Sequence, residues 1–396
     1  MTVLFLALAA AFTFLAVVAW LPLARRRAGA PWLLALVIGE TAPQRILGAV
    51  TVAAVFWAFG WIVGWPGRAA LGLVTVGVAL LAVVHVRALR ARRILERAAS
   101  EAAGRPLRLG SLPLRDLLRP TAPPRGTVAI TRGLAYGTHP KQRVDRHRAA
   151  GCPGSAPALL YVHGGGWTGG RRGRQAKPVI RHLAESGWVV LEVGYRLSPE
   201  ATFPEHLIDV KRAIAWVRET AGEHGVDPSF LGIAGGSAGG HLAALAALTQ
   251  NDPTLQPGFE EADTSLQACV PIYGVHDLLD RTGTRPLWPY LARHVLKAPV
   301  AGNTEMWHRA SPARIASADR PPFLVLHGGS DSLVRPGQSR RLVAALRAAG
   351  GAPVGHAELP GATHGFDSVA SVRGIRTAQA IEAMLTAVRE GSHSRG

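Results

Sequence analysis

The sequence predicts an α/β fold, a mostly parallel sheet with helices on both faces, preceded by a three-helix transmembrane region. From about residue 126 onward, short runs rich in Val, Ile and Leu alternate with longer helical patterns. Their continuous apolar character is typical of parallel strands that are buried on both faces. Before residue 87 the chain instead contains three long apolar runs without Asp, Glu, Lys or Arg, a pattern that indicates membrane-spanning helices.

The three long apolar runs cover residues 2–23, 46–65 and 69–86. About 20 apolar residues suffice to cross the hydrocarbon core of a bilayer, and none of the runs shows the polar stripe of a surface helix. A fourth run at 28–39 is too short to cross and predicts an interfacial or re-entrant segment. We therefore expect residues 1–86 to form the transmembrane region of a multi-pass cell-membrane protein.

The basic residues are concentrated in one stretch of the chain. Of the net charge of +18, residues 87–150 contribute +11, residues 1–86 contribute +4 and residues 151–396 contribute +3. Residues 87–125 begin Arg-rich and end Pro-rich, which predicts a juxtamembrane helix that contacts anionic lipid headgroups near 87–97, then a linker. A merely solvated basic helix is the alternative. Nucleic-acid binding is not expected, because the basic excess adjoins apolar runs and no recognition motif occurs.

Arginine placement predicts the orientation in the membrane. Arg25–Arg27 follow the first predicted span, and a second arginine cluster at 87–97 follows the third. Two spans separate the clusters, so both lie on one side, and the positive-inside rule assigns that side to the cytoplasm, together with residues 126–396. A cleaved signal peptide is the rival interpretation, but it requires basic residues before the apolar run, and Met1–Leu4 has none.

Residues 126–396 read as one α/β domain. Strands are predicted at 158–162, 188–193, 230–234, 268–272, 322–326 and 355–359. Helices are predicted at 175–186, 204–221, 238–249, 336–349 and 372–389. Such alternation indicates a parallel sheet with helical crossovers. Functional residues in such a sheet lie just beyond the carboxyl ends of the strands.

A G-x-S-x-G motif follows the predicted strand at 230–234. Residues 235–239 read GGSAG, and a predicted helix begins directly after the serine. In a strand–turn–helix context the serine occupies a sharp, strained turn, and the flanking glycines allow neighbouring backbone to approach closely. A flexible glycine turn that merely opens a helix is the alternative. The motif predicts Ser237 as a nucleophile.

A glycine-rich loop follows the strand at 158–162. Residues 163–167 read HGGGW, and such a loop lets several backbone N–H groups converge on a developing oxyanion. A phosphate-binding loop is the competing interpretation, but no G-x-G-x-x-G or G-K-[ST] pattern accompanies the loop. We therefore predict an oxyanion hole whose members are Gly164, Gly165, Gly166 and Ala238.

A nucleophilic serine needs a base, and the base needs an orienting carboxylate. Asp331 lies in the loop after strand 322–326, and His364 lies in a glycine-flanked loop after strand 355–359. These positions predict a Ser237–His364–Asp331 triad. Other candidates lie within a strand or too near His364 in sequence, namely His356, Glu358 and Asp367. Three further histidines are expected to be structural and to bind nearby backbone: His163, His241 and His327.

Together these segments resemble the hormone-sensitive-lipase-like esterases of the α/β-hydrolase superfamily. YRLSPE at 195–200 and the helix start at 203–210 also match, so the resemblance covers nearly all of residues 126–396. It implies an α/β-hydrolase fold and ester hydrolysis through an acyl-serine, with no cofactor and no metal. The family usually has an acidic residue before the serine, where this chain has Gly236. The apolar N-terminus looks like the extension found on actinobacterial lipase and esterase paralogues.

The expected function is that of a membrane-anchored serine carboxylesterase or lipase acting on carboxylic, lipid-derived acyl esters. An acyltransferase or amidase with the same triad is the alternative, whereas a non-catalytic membrane scaffold is disfavoured because every triad member is present. Residues 274–312 interrupt the strand–helix rhythm and predict a lid or acyl-pocket element, an ordinary surface insertion being the alternative. Substrate contacts are predicted for Trp167, Trp288, Tyr290 and Trp307.

Overall fold

A central sheet organises the C-terminal part of the chain in a computed structural model that describes residues 1–21, 30–113, 117, 128–152, 154–280 and 288–393. Its strands are Val128–Ala135 (β1), Arg143–Ala149 (β2), Ala156–Val162 (β3), Val189–Val193 (β4), Val226–Gly236 (β5), Ala268–Ile272 (β6), Phe323–Gly328 (β7) and Val354–Leu359 (β8). They are ordered β1-β2-β4-β3-β5-β6-β7-β8. Strand β2 pairs antiparallel with β1 and β4, and the other pairs are parallel. The predicted mostly parallel sheet is therefore confirmed.

Helices precede the sheet and connect its strands. In the first 103 residues they are Thr2–Trp20 (α1), Ala30–Glu40 (α2), Ala42–Ala58 (α3), Gly64–Leu89 (α4) and Ala91–Ala103 (α5). Further along the chain they are Lys177–Glu185 (α6), Glu205–Glu219 (α7), Ala221–His224 (α8), Ala238–Leu248 (α9), Trp288–Tyr290 (α10), Thr304–Arg309 (α11), Gly337–Ala349 (α12) and Val372–His393 (α13). A 3-10 turn covers Pro253–Leu255, and a π-turn covers Leu291–Val295 after α10.

Both faces of the sheet are covered by helices. Leucine, valine and isoleucine side chains of α7, α9 and α12 pack on one face, and those of α5, α6 and α13 pack on the other. Strands β3, β4 and β6 are buried along their whole length, which explains their continuous apolar runs. The edge strand β1 and its neighbour β2 are only partly buried, so they lack such runs and were not predicted.

Helix α5 has one apolar face and one basic face. Its buried side chains include Leu95, Ala98 and Ala102, which belong to the same core as β8 and α13. Arg90, directly before the helix, and the helix arginines at 92, 93 and 97 are exposed on the outside. The expected juxtamembrane helix therefore also packs against the sheet, and we call α5 together with residues 128–393 the sheet domain. The expected Pro-rich linker falls largely on residues 114–116 and 118–127, outside the described residues.

Helices α1 to α4 form a second unit, called here the N-terminal helical region. Among the described residues, two helices are long and apolar enough to cross a membrane, namely α1 and the 40-residue continuous run of α4 and α5. Helices α2 and α3 are bent by 75° relative to each other, and they make a third span if the bent pair is counted as one. The predicted spans overlap α1, α3 and α4, and the short fourth run forms α2. Arg25–Arg27 lie outside the described residues.

Large apolar side chains face outward in the N-terminal helical region. Leu47 is 65% exposed and Trp57 is 75% exposed, and Val3, Phe14 and Val76 are likewise exposed. The inner contacts are close, because a Cβ at Gly77 of α4 would lie 2.5 Å from the Phe12 ring of α1. Large apolar groups thus face outward as well as inward, whereas a water-soluble domain rarely exposes so many of them together.

A buried ion pair joins the two units. Glu40, at the end of α2, accepts a hydrogen bond from Arg373 Nη1 of α13 at 2.8 Å and one from Ser371 Oγ at 2.7 Å. Both charged side chains are almost completely inaccessible to solvent. Leu36, one turn before Glu40, is buried in the core shared with α5 and α13. Helix α2 is therefore fixed on the sheet domain.

Candidate active site

Ser237 occupies a strained turn between β5 and α9. Its backbone has φ 59° and ψ −122°, a conformation that costs free energy for any residue with a Cβ. Ser237 N–H donates to Ile272 O at 2.9 Å, and Ser237 O accepts from His241 N–H at 3.0 Å. The turn needs glycine at residue 239, where a Cβ would collide with the carbonyl group of Val162. This is the geometry of a nucleophile elbow.

Asp331 and His364 form a buried hydrogen-bonded pair beyond β7 and β8. Asp331 Oδ2 lies 2.6 Å from His364 Nδ1, and Asp331 Oδ1 accepts hydrogen bonds from the N–H groups of Leu333 and Val334 at 2.9 Å. Burial alone would raise the pKa of Asp331, but His364 and His327 beside it hold that pKa well below its ordinary value. The ionised carboxylate fixes the proton of His364 on Nδ1 and leaves Nε2 as the basic nitrogen.

Two aromatic rings contact the His364 imidazole. Tyr273 lies at a centroid distance of 4.5 Å with a tilt of 53°, and its hydroxyl donates to Asp367 Oδ1 at 2.5 Å. Asp367, which the sequence had excluded as the triad acid, is thus engaged by Tyr273, and burial raises the pKa of its carboxyl group. Trp32 of α2 meets the imidazole edge-on at a centroid distance of 6.0 Å. Neither aromatic residue was predicted; Tyr273 directly follows β6 and could have been found by the strand-end rule.

The absence of an acidic residue before the serine has a steric explanation. A Cβ at Gly236 would lie 2.9 Å from the hydroxyl oxygen of Tyr273 and 3.1 Å from that of Tyr161. The two tyrosines therefore occupy the space into which a side chain at residue 236 would extend.

The glycine loop after β3 lies against the serine. Gly165 has φ 130° and Gly166 has φ 61°, values that glycine adopts without strain. A Cβ at Gly164 would lie 2.9 Å from Ser237 Cβ, and Gly164 N–H is already bound to Gln175 Oε1 at 2.7 Å. Within the described residues, the N–H groups of Gly165, Gly166 and Ala238 donate to no acceptor. These three amides are therefore the ones available to an oxyanion.

The four aromatic residues predicted to contact substrate lie in different environments. Trp167 is buried and donates from Nε1 to His241 Nδ1 at 3.3 Å, and Trp307 is buried and donates from Nε1 to Ala298 O at 3.2 Å. Both indoles satisfy their polar atom inside the core. Tyr290 is 36% exposed, and its hydroxyl donates to Gly166 O at 2.7 Å, which places it on the glycine loop. The side chain of Trp288 lies outside the described residues.

The three histidines expected to be structural bind backbone carbonyl groups, which confirms that prediction. His163 Nδ1 lies 2.9 Å from Gly164 O, and His327 Nε2 lies 2.9 Å from Val334 O. His241 Nε2 lies 2.8 Å from Ala310 O. Burial lowers the pKa of His163 and of His241 to about 4, so both rings are neutral at physiological pH.

Comparisons with known proteins identify sequences related to this chain. The sequence profile of the BD-FAE family matches residues 146–346, about half of the chain. The chain is 50% identical over 243 residues to the probable carboxylic ester hydrolase LipM of Mycobacterium tuberculosis, covering 61% of this chain and 56% of LipM. It is 40% identical over 354 residues to the esterase LipQ of the same organism, covering 83% of this chain and 84% of LipQ.

Among solved structures, a truncated form of a carbohydrate esterase from gut microbiota shares the fold. The TM-score is 0.59 at 24% identity, and the match covers 69% of this chain and the whole of that one. The matched region spans slightly more than half of LipM and most of LipQ. The chain therefore belongs to the BD-FAE family of α/β-hydrolases.

Proposed function

We propose that the protein is a membrane-anchored serine carboxylesterase that hydrolyses carboxylic esters with lipid-derived acyl groups. The observation that carries this proposal is the 2.6 Å pair between Asp331 and His364, which lies beyond the same edge of the sheet as the strained turn of Ser237. The chain order Ser237, Asp331, His364 is that of α/β-hydrolases. The esterase names of LipM and LipQ support ester hydrolysis as the reaction.

The proposed reaction proceeds through an acyl-serine. His364 Nε2 takes the Ser237 proton as Oγ attacks the ester carbonyl carbon, and Asp331 stabilises the resulting imidazolium. The carbonyl electron pair moves onto oxygen, which the N–H groups of Gly165, Gly166 and Ala238 stabilise by about 3 kcal/mol each. The carbon–oxygen bond to the alcohol then breaks, and the alcohol leaves with the proton of His364. Water repeats the sequence on the acyl-serine, giving its proton to His364 and releasing the acid and free Ser237.

Membrane anchoring is supported by the outward apolar surface of α1, α3 and α4. Side chains such as Leu47 and Trp57 expose most of their surface, which is favourable in hydrocarbon and unfavourable in water. The outward arginines of α5 support contact with anionic headgroups near residues 87–97. By the positive-inside rule, the arginines in the sequence at 25–27 and 87–97 support a cytoplasmic location of the sheet domain.

The catalytic proposal is tested with Ser237→Ala in the full-length protein. We expect hydrolysis of p-nitrophenyl butyrate to fall on the order of 10⁶-fold in kcat, and labelling by a fluorophosphonate to disappear. Ser229→Ala is the matched control, because Ser229 lies exposed on the same strand β5. The control variant should retain both ester hydrolysis and fluorophosphonate labelling. Near-normal hydrolysis by a folded Ser237→Ala protein contradicts the proposal. Release of the wild-type chain from membranes by alkaline carbonate contradicts the anchoring.

A further inference from the structure

We propose that Trp32 of α2 is a specificity-determining residue that favours esters carrying a long hydrocarbon chain. This inference rests on the proposed function, because it assigns His364 as the base. The Trp32 indole meets the His364 ring at a centroid distance of 6.0 Å and an interplanar angle of 89°. A group bound for reaction next to His364 therefore lies within reach of an indole that belongs to the N-terminal helical region.

The loop that carries His364 contacts α2 at a second point. A Cβ built on Gly365, the residue after His364, would lie 3.5 Å from Leu36 Cδ2. Leu36 follows Trp32 by four residues and is buried, so the two side chains project from the same face of the helix. Helix α2 therefore presents one apolar face to the catalytic loop, with Trp32 at one end and Leu36 one turn further on.

The position of α2 is fixed by the buried ion pair at its C-terminal end. Glu40 binds Arg373, which is 1% exposed, and Ser371. Arg373 Nη2 also donates to Pro360 O at 2.8 Å, four residues before His364. A buried charge that loses its partner is strongly unfavourable. The chain of contacts from Glu40 through Arg373 to Pro360 thus holds α2 in a defined place relative to the His364 loop.

The other faces of α2 and its neighbours identify the chemistry of the ligand. Leu33, Leu34 and Val37 of α2 lie within five residues of Trp32 and are exposed. A small cavity at the same junction is lined by Ala35 and Val84 together with the polar residues Arg87, Ser330 and Thr363. An alkyl chain that lies along α2 between the bilayer and His364 would contact the apolar side chains of this helix for much of its length, which is favourable because apolar surface is removed from water. A short ester gains nothing from this path.

The test compares two p-nitrophenyl esters, the acetate and the decanoate, on the full-length protein in the same detergent micelles. We expect Trp32→Ala to lower kcat/KM for the decanoate about tenfold more than for the acetate, mainly through KM. Trp32→Phe retains an aromatic ring and should keep most of the preference. Trp57→Ala is the matched control, because Trp57 is a tryptophan of the same region that is 75% exposed. It should leave unchanged the ratio of kcat/KM for the decanoate to kcat/KM for the acetate.

Fluorophosphonate labelling of Ser237 in each variant shows whether the triad is intact. An unchanged ratio in a labelled Trp32→Ala protein, or an equal fall for both esters, overturns the inference. A ratio that also falls in Trp57→Ala overturns it, because the effect is then general to the apolar region. Failure of the proposed function is distinct from these outcomes, since it appears as acetate hydrolysis that survives Ser237→Ala.

Discussion

The N-terminal helical region and the sheet domain contain similar side chains in opposite places. Trp57 and Leu47 face outward from α3, whereas strands β3, β4 and β6 bury every residue between two layers of helices. Apolar side chains are most stable where they contact hydrocarbon or where they are packed away from water. The comparison teaches that the hydrophobic content of a region does not by itself indicate a core, and that the direction in which its apolar side chains face must be known as well.

The two regions also differ in the number of charged side chains that they contain. Residues 151–396 carry 24 basic and 21 acidic side chains, whereas residues 1–86 carry five basic side chains and one acidic. That single acid, Glu40, finds its partner Arg373 in the sheet domain. The two regions thus differ in the number of charges that they carry, and the buried ion pair between Glu40 and Arg373 joins them.

The largest effect expected is confined to the sheet domain. Asp331→Asn should lower kcat on the order of 10⁴-fold, because the amide favours the wrong tautomer of His364. Retention in the membrane should not change. Hydrolysis of p-nitrophenyl butyrate by membranes measures the loss of kcat, and carbonate extraction measures retention in the membrane. Asp319→Asn is the control, because Asp319 lies on the exposed surface; a loss below tenfold in Asp331→Asn would argue against the triad.

The next largest effect is confined to the N-terminal helical region. Val76 is 51% exposed on α4, and Val76→Arg should cost about 3 kcal/mol if that face contacts hydrocarbon. The same change at a water-exposed site costs less than about 0.5 kcal/mol. Ala348→Arg on the exposed surface of α12 supplies that comparison. The fraction of protein that stays in the membrane after alkaline carbonate extraction should fall for Val76→Arg and not for Ala348→Arg. An equal fall in both variants would mean that Val76 does not face hydrocarbon.

Acid should destabilise the sheet domain through buried His241. Burial lowers its pKa to about 4 from an ordinary value of 6.5, so between these values the unfolded chain binds a proton that the folded state excludes. Above the unfolded-state pKa of His241 the protein has its full folding stability. As the pH falls below that pKa, protonation of His241 in the unfolded chain lowers the free energy of unfolding. This residue alone makes folding about 2 kcal/mol weaker at pH 5 than at pH 7.

Urea unfolding followed by tryptophan fluorescence measures this pH dependence. His241→Asn should reduce the difference between pH 7 and pH 5 by about 2 kcal/mol, whereas His139→Asn, at an exposed site, should leave it unchanged. An identical difference in wild type and His241→Asn would show that this ring already carries a proton in the folded state.

The smallest effect concerns the outer face of α5, where the two regions meet. Replacing Arg90 and Arg93 by alanine should weaken contact with anionic lipid by about 1 kcal/mol each. Nanodiscs of mixed phosphatidylcholine and phosphatidylglycerol allow the enrichment of the anionic lipid around the full chain to be measured. The double variant Arg132→Ala and Arg309→Ala removes two exposed arginines from the sheet domain. An equal loss of enrichment in both double variants would mean that lipid contact is not localised to α5.

The central strands could be predicted from the sequence because parallel strands buried on both faces are continuous apolar runs. Strand β6 was predicted to the residue, and β3 and β7 within two residues at each end. Strand β2, with sequence RVDRHRA, has no such run because most of its residues are only partly buried. Ser237, Asp331 and His364 could be located for a related reason, since each lies just beyond the carboxyl end of a recognisable strand.

Contacts between distant segments could not be predicted. The meeting of Trp32 with His364 depends on how α2 lies on the sheet domain, and no periodicity encodes that angle. The same holds for Gln175, which binds Gly164 N–H across a loop. Trp167 and Trp307 show a further limit, because an aromatic residue near a site motif packs equally well into the core when its N–H finds a partner there.

The ion pair between Glu40 and Arg373 has a consequence for the order in which the protein is made. The two residues are 333 positions apart, and ribosomes add about 5–20 residues per second. Glu40 is therefore synthesised about 17 to 67 s before its partner. During that interval its carboxylate has no arginine to neutralise it, so burial at its final position is unfavourable. The first part of the chain to be translated thus finishes its packing last, when the C-terminal helix arrives.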